Sequence, residues 1–94
     1  MDDEHIAQLK KHLRDQGYSL YVYSYPAGMV FPPTSHDYAK IHIVLSGMLQ
    51  ITIGEQAHVL HAGDRLLVPA KVSHRAEVMG EMAAVCVDAT KYEE

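Results

Sequence analysis

Turn-forming residues interrupt this chain at short intervals from Tyr18 to Val87, and the stretches between them are too short for helices but long enough for strands. The interruptions are Pro26-Ala27-Gly28, Ser46-Gly47, Gly54-Glu55, Ala62-Gly63-Asp64, Pro69-Ala70 and Gly80-Glu81. Between them a period of two marks eight strands: Tyr18 to Tyr25, Met29 to Thr34, Lys40 to Leu45, Met48 to Ile53, Ala57 to His61, Arg65 to Val68, His74 to Met79 and Met82 to Val87. Short antiparallel strands in such number make a sandwich or a barrel, and closing a barrel removes the sheet edges that invite aggregation. The expectation is therefore an all-β fold, a small β-barrel. One helix precedes it: Ile6, Leu9 and Leu13 share a helical face between Asp2 and Asp15, and Gly17 is placed to cap its end. The 94 residues thus read as one domain, residues 1–17 the N-terminal helix and 18–94 the barrel, with no room for a lid.

Composition removes several functions. Eight Lys and Arg against twelve Asp and Glu give a net charge of -4 and no basic field for a nucleic acid backbone. No apolar run is long enough to cross a bilayer, and Met1-Asp2-Asp3-Glu4 is acidic where a signal peptide is basic, so a cytoplasmic location is expected with no membrane partner. The single cysteine, Cys86, lies in the apolar run Val85-Cys86-Val87 and reads as core. Seven histidines are the chemically suggestive feature, since neutral imidazole ligates metals and exchanges protons near neutral pH.

Strand parity sorts part of that set. In Lys40 to Leu45, residues Ile41, Ile43 and Leu45 form one face and Lys40, His42 and Val44 the other. If the mixed face lines a lumen, the apolar face needs a cover: either the N-terminal helix or a second copy of the chain, the latter making a homodimer.

The spacing of Gly28, Thr34, His36, Lys40 and Gly47 resembles the first motif of the cupin superfamily, and fifteen residues later the run from Gly63-Asp64 through Pro69 to His74 resembles the second. The likeness spans Gly28 to about Val78. It implies a single-domain cupin, a jelly-roll barrel also described as a double-stranded β-helix, which commonly dimerises through its sheets. Metal-binding cupins usually supply two histidines and a glutamate from the first motif and a third histidine from the second. Here only His36 and His74 stand at those positions; Thr34 replaces the first histidine and Lys40 the glutamate, while Lys71 and Val78 replace the usual Gly and Asn.

An ammonium at position 40 cannot ligate a divalent ion and would repel one by on the order of several kcal/mol. Parity offers a partial repair, because His42 points to the same side as Lys40 one pleat further on. His36, His42 and His74 would then hold Zn, Fe, Ni or Cu with positions open for water. The alternative is a metal-free pocket in which the imidazoles bond to one another, to Lys40 or to tyrosines. Lys40 either anchors a small anion or acts as a base, or is a strand-start lysine whose stem reaches solvent. Parity and resemblance add Thr34, Val44, Met48 and Gln50 to the candidate ligand-binding lining.

The other histidines read more plainly. His5 and His12 flank the helix stripe and face solvent, and His58 and His61 lie on opposite faces of one strand. Tyr21, Tyr23 and Tyr25 share a face that reads as packed or subunit-covered surface, and Met29, Met48, Met79 and Met82 as filling. No nucleophile elbow, phosphate loop or dinucleotide fingerprint is present. Two functions follow: a barrel that binds a small polar or anionic molecule with or without a divalent metal, or a mononuclear metalloenzyme of isomerase, lyase or dioxygenase type built on His36, His42 and His74.

Overall fold

A computed structural model describes residues 3–91. Its elements are α1 (Asp3–Asp15), β1 (Ser19–Tyr25), β2 (Val30–Thr34), β3 (Ala39–Ser46), β4 (Met48–Ile53), β5 (Gln56–His61), β6 (Arg65–Val68), β7 (His74–Met79) and β8 (Ala84–Lys91). Asp2, the expected first helical residue, lies outside the described residues, as do residues 92–94 of the expected barrel. The strands form two antiparallel four-stranded sheets, in the orders β1-β8-β3-β6 and β2-β7-β4-β5. Each sheet alternates strands from the two ends of the chain, which is the double Greek key of a jelly roll.

The core follows from strand parity. Val44, Leu49, Ile51, Leu60, Val68, Val78, Ala84 and Cys86 are buried between the sheets, with Tyr25, Phe31, Ile53, Leu66 and Ala76 packed on them. The apolar outer face of β3 is covered by α1 of the same chain: Leu13 packs with Ile43, Val87 and Ala89, and Leu9, Tyr18, Ile41 and Leu45 complete the patch. The helix thus covers the part of that face around Ile43, while Val22 and Leu67 of the same outer face remain exposed. Burying Leu13 is worth about 1.5–3 kcal/mol and supplies much of what holds a helix this short. Gly17, at a φ of 91°, reverses the chain out of α1; its N–H bonds the Arg14 carbonyl and the Tyr18 N–H bonds the Leu13 carbonyl, which satisfies the last turn.

Two differences from the sequence reading bear on the site. The expected last strand, Met82 to Val87, in fact starts at Ala84 and runs on to Lys91. Asp88 and Lys91 are poor strand formers alone, but β8 lies between β1 and β3 and is paired on both edges, and that pairing overrides propensity. The second difference is at Ser46-Gly47, where the chain leaves one sheet for the other. The β3–β8 register slips between Val44 and Ser46, and even-numbered residues face the lumen on β3 but the outside on β4.

Gly47 makes that crossing possible. Its φ is 81°, and a Cβ there would lie 2.5 Å from the Ala83 carbonyl oxygen and 2.8 Å from the Ala84 Cα. Gly54 has a similar φ of 61° with nothing within 4 Å. Gly47→Ala should therefore lower stability by about 3 kcal/mol and Gly54→Ala by about 1 kcal/mol in urea unfolding. Equal losses would show that the close approach at Gly47 is not real.

Candidate ligand pocket and the Asp88 centre

The side chains that matter here sit on the inner face of the β1-β8-β3 ribbon. Asp88 is opposite His42 on β3 and opposite Tyr21 on β1, and Lys40 is opposite Thr90. Register therefore places a carboxylate, an imidazole and an ammonium within side-chain reach. Asp88 is 1% exposed, and three donors satisfy it. The Tyr25 hydroxyl donates to its Oδ2 at 3.0 Å, the Lys40 Nζ stands 3.2 Å from the same oxygen, and the His42 Nδ1 donates to Oδ1 at 3.2 Å.

Burial alone would raise the Asp88 pKa, but the hydrogen bond and charge of His42, the Lys40 ammonium and the Tyr25 hydrogen bond together outweigh it and leave the pKa below the ordinary aspartate value. The same carboxylate, after burial itself, pushes the Tyr25 phenol well above its usual range. Burial, with help from Asp88, pushes the Cys86 thiol up to about 11, so this cysteine is an inert core residue as expected.

Around this centre lies a cavity of about 160 Å³. Phe31, Pro32, Leu49 and Ala76 give it apolar walls, and Thr34, His36, Lys40, His42, His74 and Arg75 supply its polar groups. His36 and His74 have ring centroids 5.3 Å apart, His42 and His74 6.3 Å, and His36 stacks on Tyr38 at 5.0 Å. The Lys71 N–H bonds the His36 carbonyl at 2.6 Å and ties the β6–β7 loop to this rim; Lys71 holds the left-handed φ of 65° that the glycine usual at this position would adopt without strain. Burial first, then the Lys40, His74 and His42 charges, lower the His36 pKa and keep its imidazole neutral at pH 7.

Thr34, His36, Lys40, His42 and His74 all line this one cavity. Val44, Met48 and Gln50 do not line this cavity. Val44 does face inward, but at 0% exposure it is packed core at the closed end of the lumen. Met48 and Gln50 fall on the outer face of β4, opposite in parity to the buried Leu49 and Ile51; Gln50 borders a separate groove with Glu77 and Thr52. The register slip between Val44 and Ser46, just before the crossing at Ser46-Gly47, accompanies this change of face. Asp88 lies one residue beyond the expected end of the last strand at Val87, which in fact runs on to Lys91, and Tyr25 belongs to a tyrosine row expected to be packed or subunit-covered surface.

Whether these residues suit a metal is decided by their donors. Asp88 fixes the proton of His42 on Nδ1, and the Val72 carbonyl, accepting from the His74 Nδ1 at 3.1 Å, does the same for His74. In its neutral form each ring presents a bare Nε2, and that of His42 is buried with no hydrogen-bond partner among the described residues. Yet no group of three or more His, Cys, Asp or Glu among the described residues is arranged to hold an ion. The one carboxylate is spent on Lys40, whose ammonium lines the same cavity. The arrangement does not fit a three-histidine metal centre.

Residues 21–90 match the family described as the cupin domain. No curated protein matches. Solved structures resemble the fold: KdgF from Halomonas sp. at a TM-score of 0.74 and 19% identity over 82% of this chain and 70% of that one. The Cnp3 cupin domain of Schizosaccharomyces pombe gives 0.75 and 16% over 81% of this chain and 53% of its own. The DMSP lyase DddQ from Ruegeria pomeroyi gives 0.72 and 22% over 81% and 39%. The chain thus spans about half of the Cnp3 domain structure and less of DddQ, and at these identities the likeness concerns the fold.

Because its pKa is depressed, Asp88 contributes stability that is complete above the unfolded-state value near 3.9 and is lost as pH falls through the folded one. Wild type should exceed Asp88→Asn by roughly 3 kcal/mol at pH 7, with the gap closing only below about pH 4. A gap that closes between pH 6 and 5, or none at pH 7, would contradict the charge state assigned to Asp88.

Proposed function

The chain belongs to the cupin domain family, and on that footing we propose that it is a binding module whose lumen takes a small organic molecule bearing a carboxylate, without a metal. The observation that carries this reading is the Lys40 ammonium, held inside an apolar-walled cavity by a single carboxylate. An ammonium has three N–H donors, and Asp88 engages one of them. The others are available to an incoming carboxylate, and the exposed Arg75 at the border of the cavity adds positive charge near its mouth. With Nδ1 of both rings already donating, the Nε2 atoms of His42 and His74 are suited to accept from a ligand hydroxyl or amide when the imidazoles are neutral and to donate when they are protonated. Phe31, Leu49 and Ala76 offer apolar contact for a carbon skeleton.

Size limits the ligand. A volume of about 160 Å³ is below the roughly 300–1,000 Å³ of sites that enclose drug-sized molecules. A skeleton of a few carbons fits that space.

Butyrate is a suitable probe. Titrated into the protein and followed through the histidine Cε1–H resonances, it should give saturable shifts at His42 and His74. The affinity should fall at least about tenfold in Lys40→Met, and equally in Lys40→Met/Asp88→Asn, which leaves no buried charge unpaired. Absence of saturable shifts, or equal affinity in both variants and wild type, would overturn the reading. So would stoichiometric Zn, Fe, Ni or Cu in protein purified without a tag and lost in His42→Ala and His74→Ala; that result would favour the metalloenzyme instead.

A further inference from the structure

Beside the central cavity is a second recess of about 210 Å³, lined by Tyr21, Tyr23, Tyr38, Lys40, Asp88 and Thr90. The two spaces meet at the Lys40–Asp88 pair, which lines both. We propose that this recess is a second subsite of the lumen, one that receives ligand hydroxyl groups, so that the molecule bound is a hydroxycarboxylate. The inference rests on the carboxylate reading above and adds the class of ligand.

Thr90 is the first support. It is the cross-strand neighbour of Lys40, is 6% exposed, and its hydroxyl has no hydrogen-bond partner among the described residues. A buried hydroxyl without a partner is costly, and a valine of the same shape would fill the position without that cost. A ligand hydroxyl that donates to Oγ1 or accepts from it removes the cost, at a place one residue across the sheet from the ammonium that would hold the carboxylate.

The tyrosines are the second. Sequence parity put Tyr21, Tyr23 and Tyr25 on one face and suggested a covered surface. Tyr25 is covered, in edge contact with Phe31 at 4.8 Å. Tyr21 and Tyr23 are stacked at 6.4 Å yet remain 49% and 43% exposed at the border of the recess. Phenol groups bring both aromatic surface and hydroxyls that donate and accept, which suits a ligand edge carrying C–H and O–H groups together. The central cavity is mainly hydrocarbon-walled, whereas the recess is bordered by hydroxyls and the ion pair, so the two spaces sort a ligand into an apolar end and a hydroxylated, charged end.

The test compares butyrate, 2-hydroxybutyrate and 3-hydroxybutyrate by calorimetric titration of the full chain, with Thr90→Val and Tyr21→Phe alongside. At least one hydroxy acid should bind wild type about fivefold or more tighter than butyrate, and Thr90→Val should bring it to within about twofold of butyrate. Tyr21→Phe, a change at a half-exposed ring, keeps the comparison open if Thr90→Val unfolds, and should narrow the preference as well. Equal binding of all three acids to wild type, or a preference unchanged in both variants, would overturn the hydroxyl subsite and leave the carboxylate reading standing. Failure of all three to bind would overturn that reading and this inference with it.

Discussion

The carboxylate of Asp88 is the group around which this barrel is arranged. Taking an ionised carboxylate out of water costs several kcal/mol, and the chain offsets that cost with three partners drawn from two strands: Tyr25 from β1, Lys40 and His42 from β3. Each donor is fixed by what it gives Asp88. Tyr25 is held where its ring can meet Phe31 on the other sheet, His42 is held with its proton on Nδ1, and Lys40 is kept inside a cavity that an unpaired lysine would leave for solvent. Remove the carboxylate and the cavity loses both its charge pattern and the groups that shape it.

That arrangement depends on β8 being a central strand. Residues of β8 alternate between two cores: Ala84, Cys86 and Asp88 face the lumen, while Val87 and Ala89 face α1. The helix therefore does more than shield the outer face of the sheet. By packing Leu13 against Ile43, Val87 and Ala89, it holds β3 and β8 from behind at the residues adjacent to His42 and Asp88. The closed end of the lumen is filled by Val44, Leu49, Ile51 and Val68, so the polar groups are confined to the other end, where the cavity opens.

How much of this is legible in the sequence depends on what each feature answers to. The all-β fold and the capped helix follow from turn residues and periodicity; the jelly roll and the nearness of His36, Lys40 and His74 follow from the resemblance to the cupin motifs, and that of His42 from strand parity. The errors are non-local. Met48 and Gln50 were assigned to the lumen because parity was carried across Ser46-Gly47, and a register slip at a sheet-to-sheet crossing leaves no mark in composition. Asp88 and Thr90 lie past the expected end of their strand at Val87, because pairing on both edges carries β8 through Asp88 against that residue's own preference. Lys40 is paired with Asp88 inside the barrel. What its presence required, a buried counter-charge, could have prompted a search for an acidic residue in an apolar run, and Val85-Cys86-Val87-Asp88-Ala89 is such a place.

The central claim is that Asp88 and Lys40 act as a pair inside the barrel. A double-mutant cycle measures this directly, with urea unfolding of wild type, Lys40→Met, Asp88→Asn and the double variant at pH 7. The pair predicts that Lys40→Met is strongly destabilising, because it leaves the carboxylate buried without its cation, and that the double variant recovers enough of the loss to give a coupling energy of about 2 kcal/mol or more. Single losses that add to within about 0.5 kcal/mol would show that Lys40 and Asp88 do not hold each other, and the account of the pocket built on them would not stand.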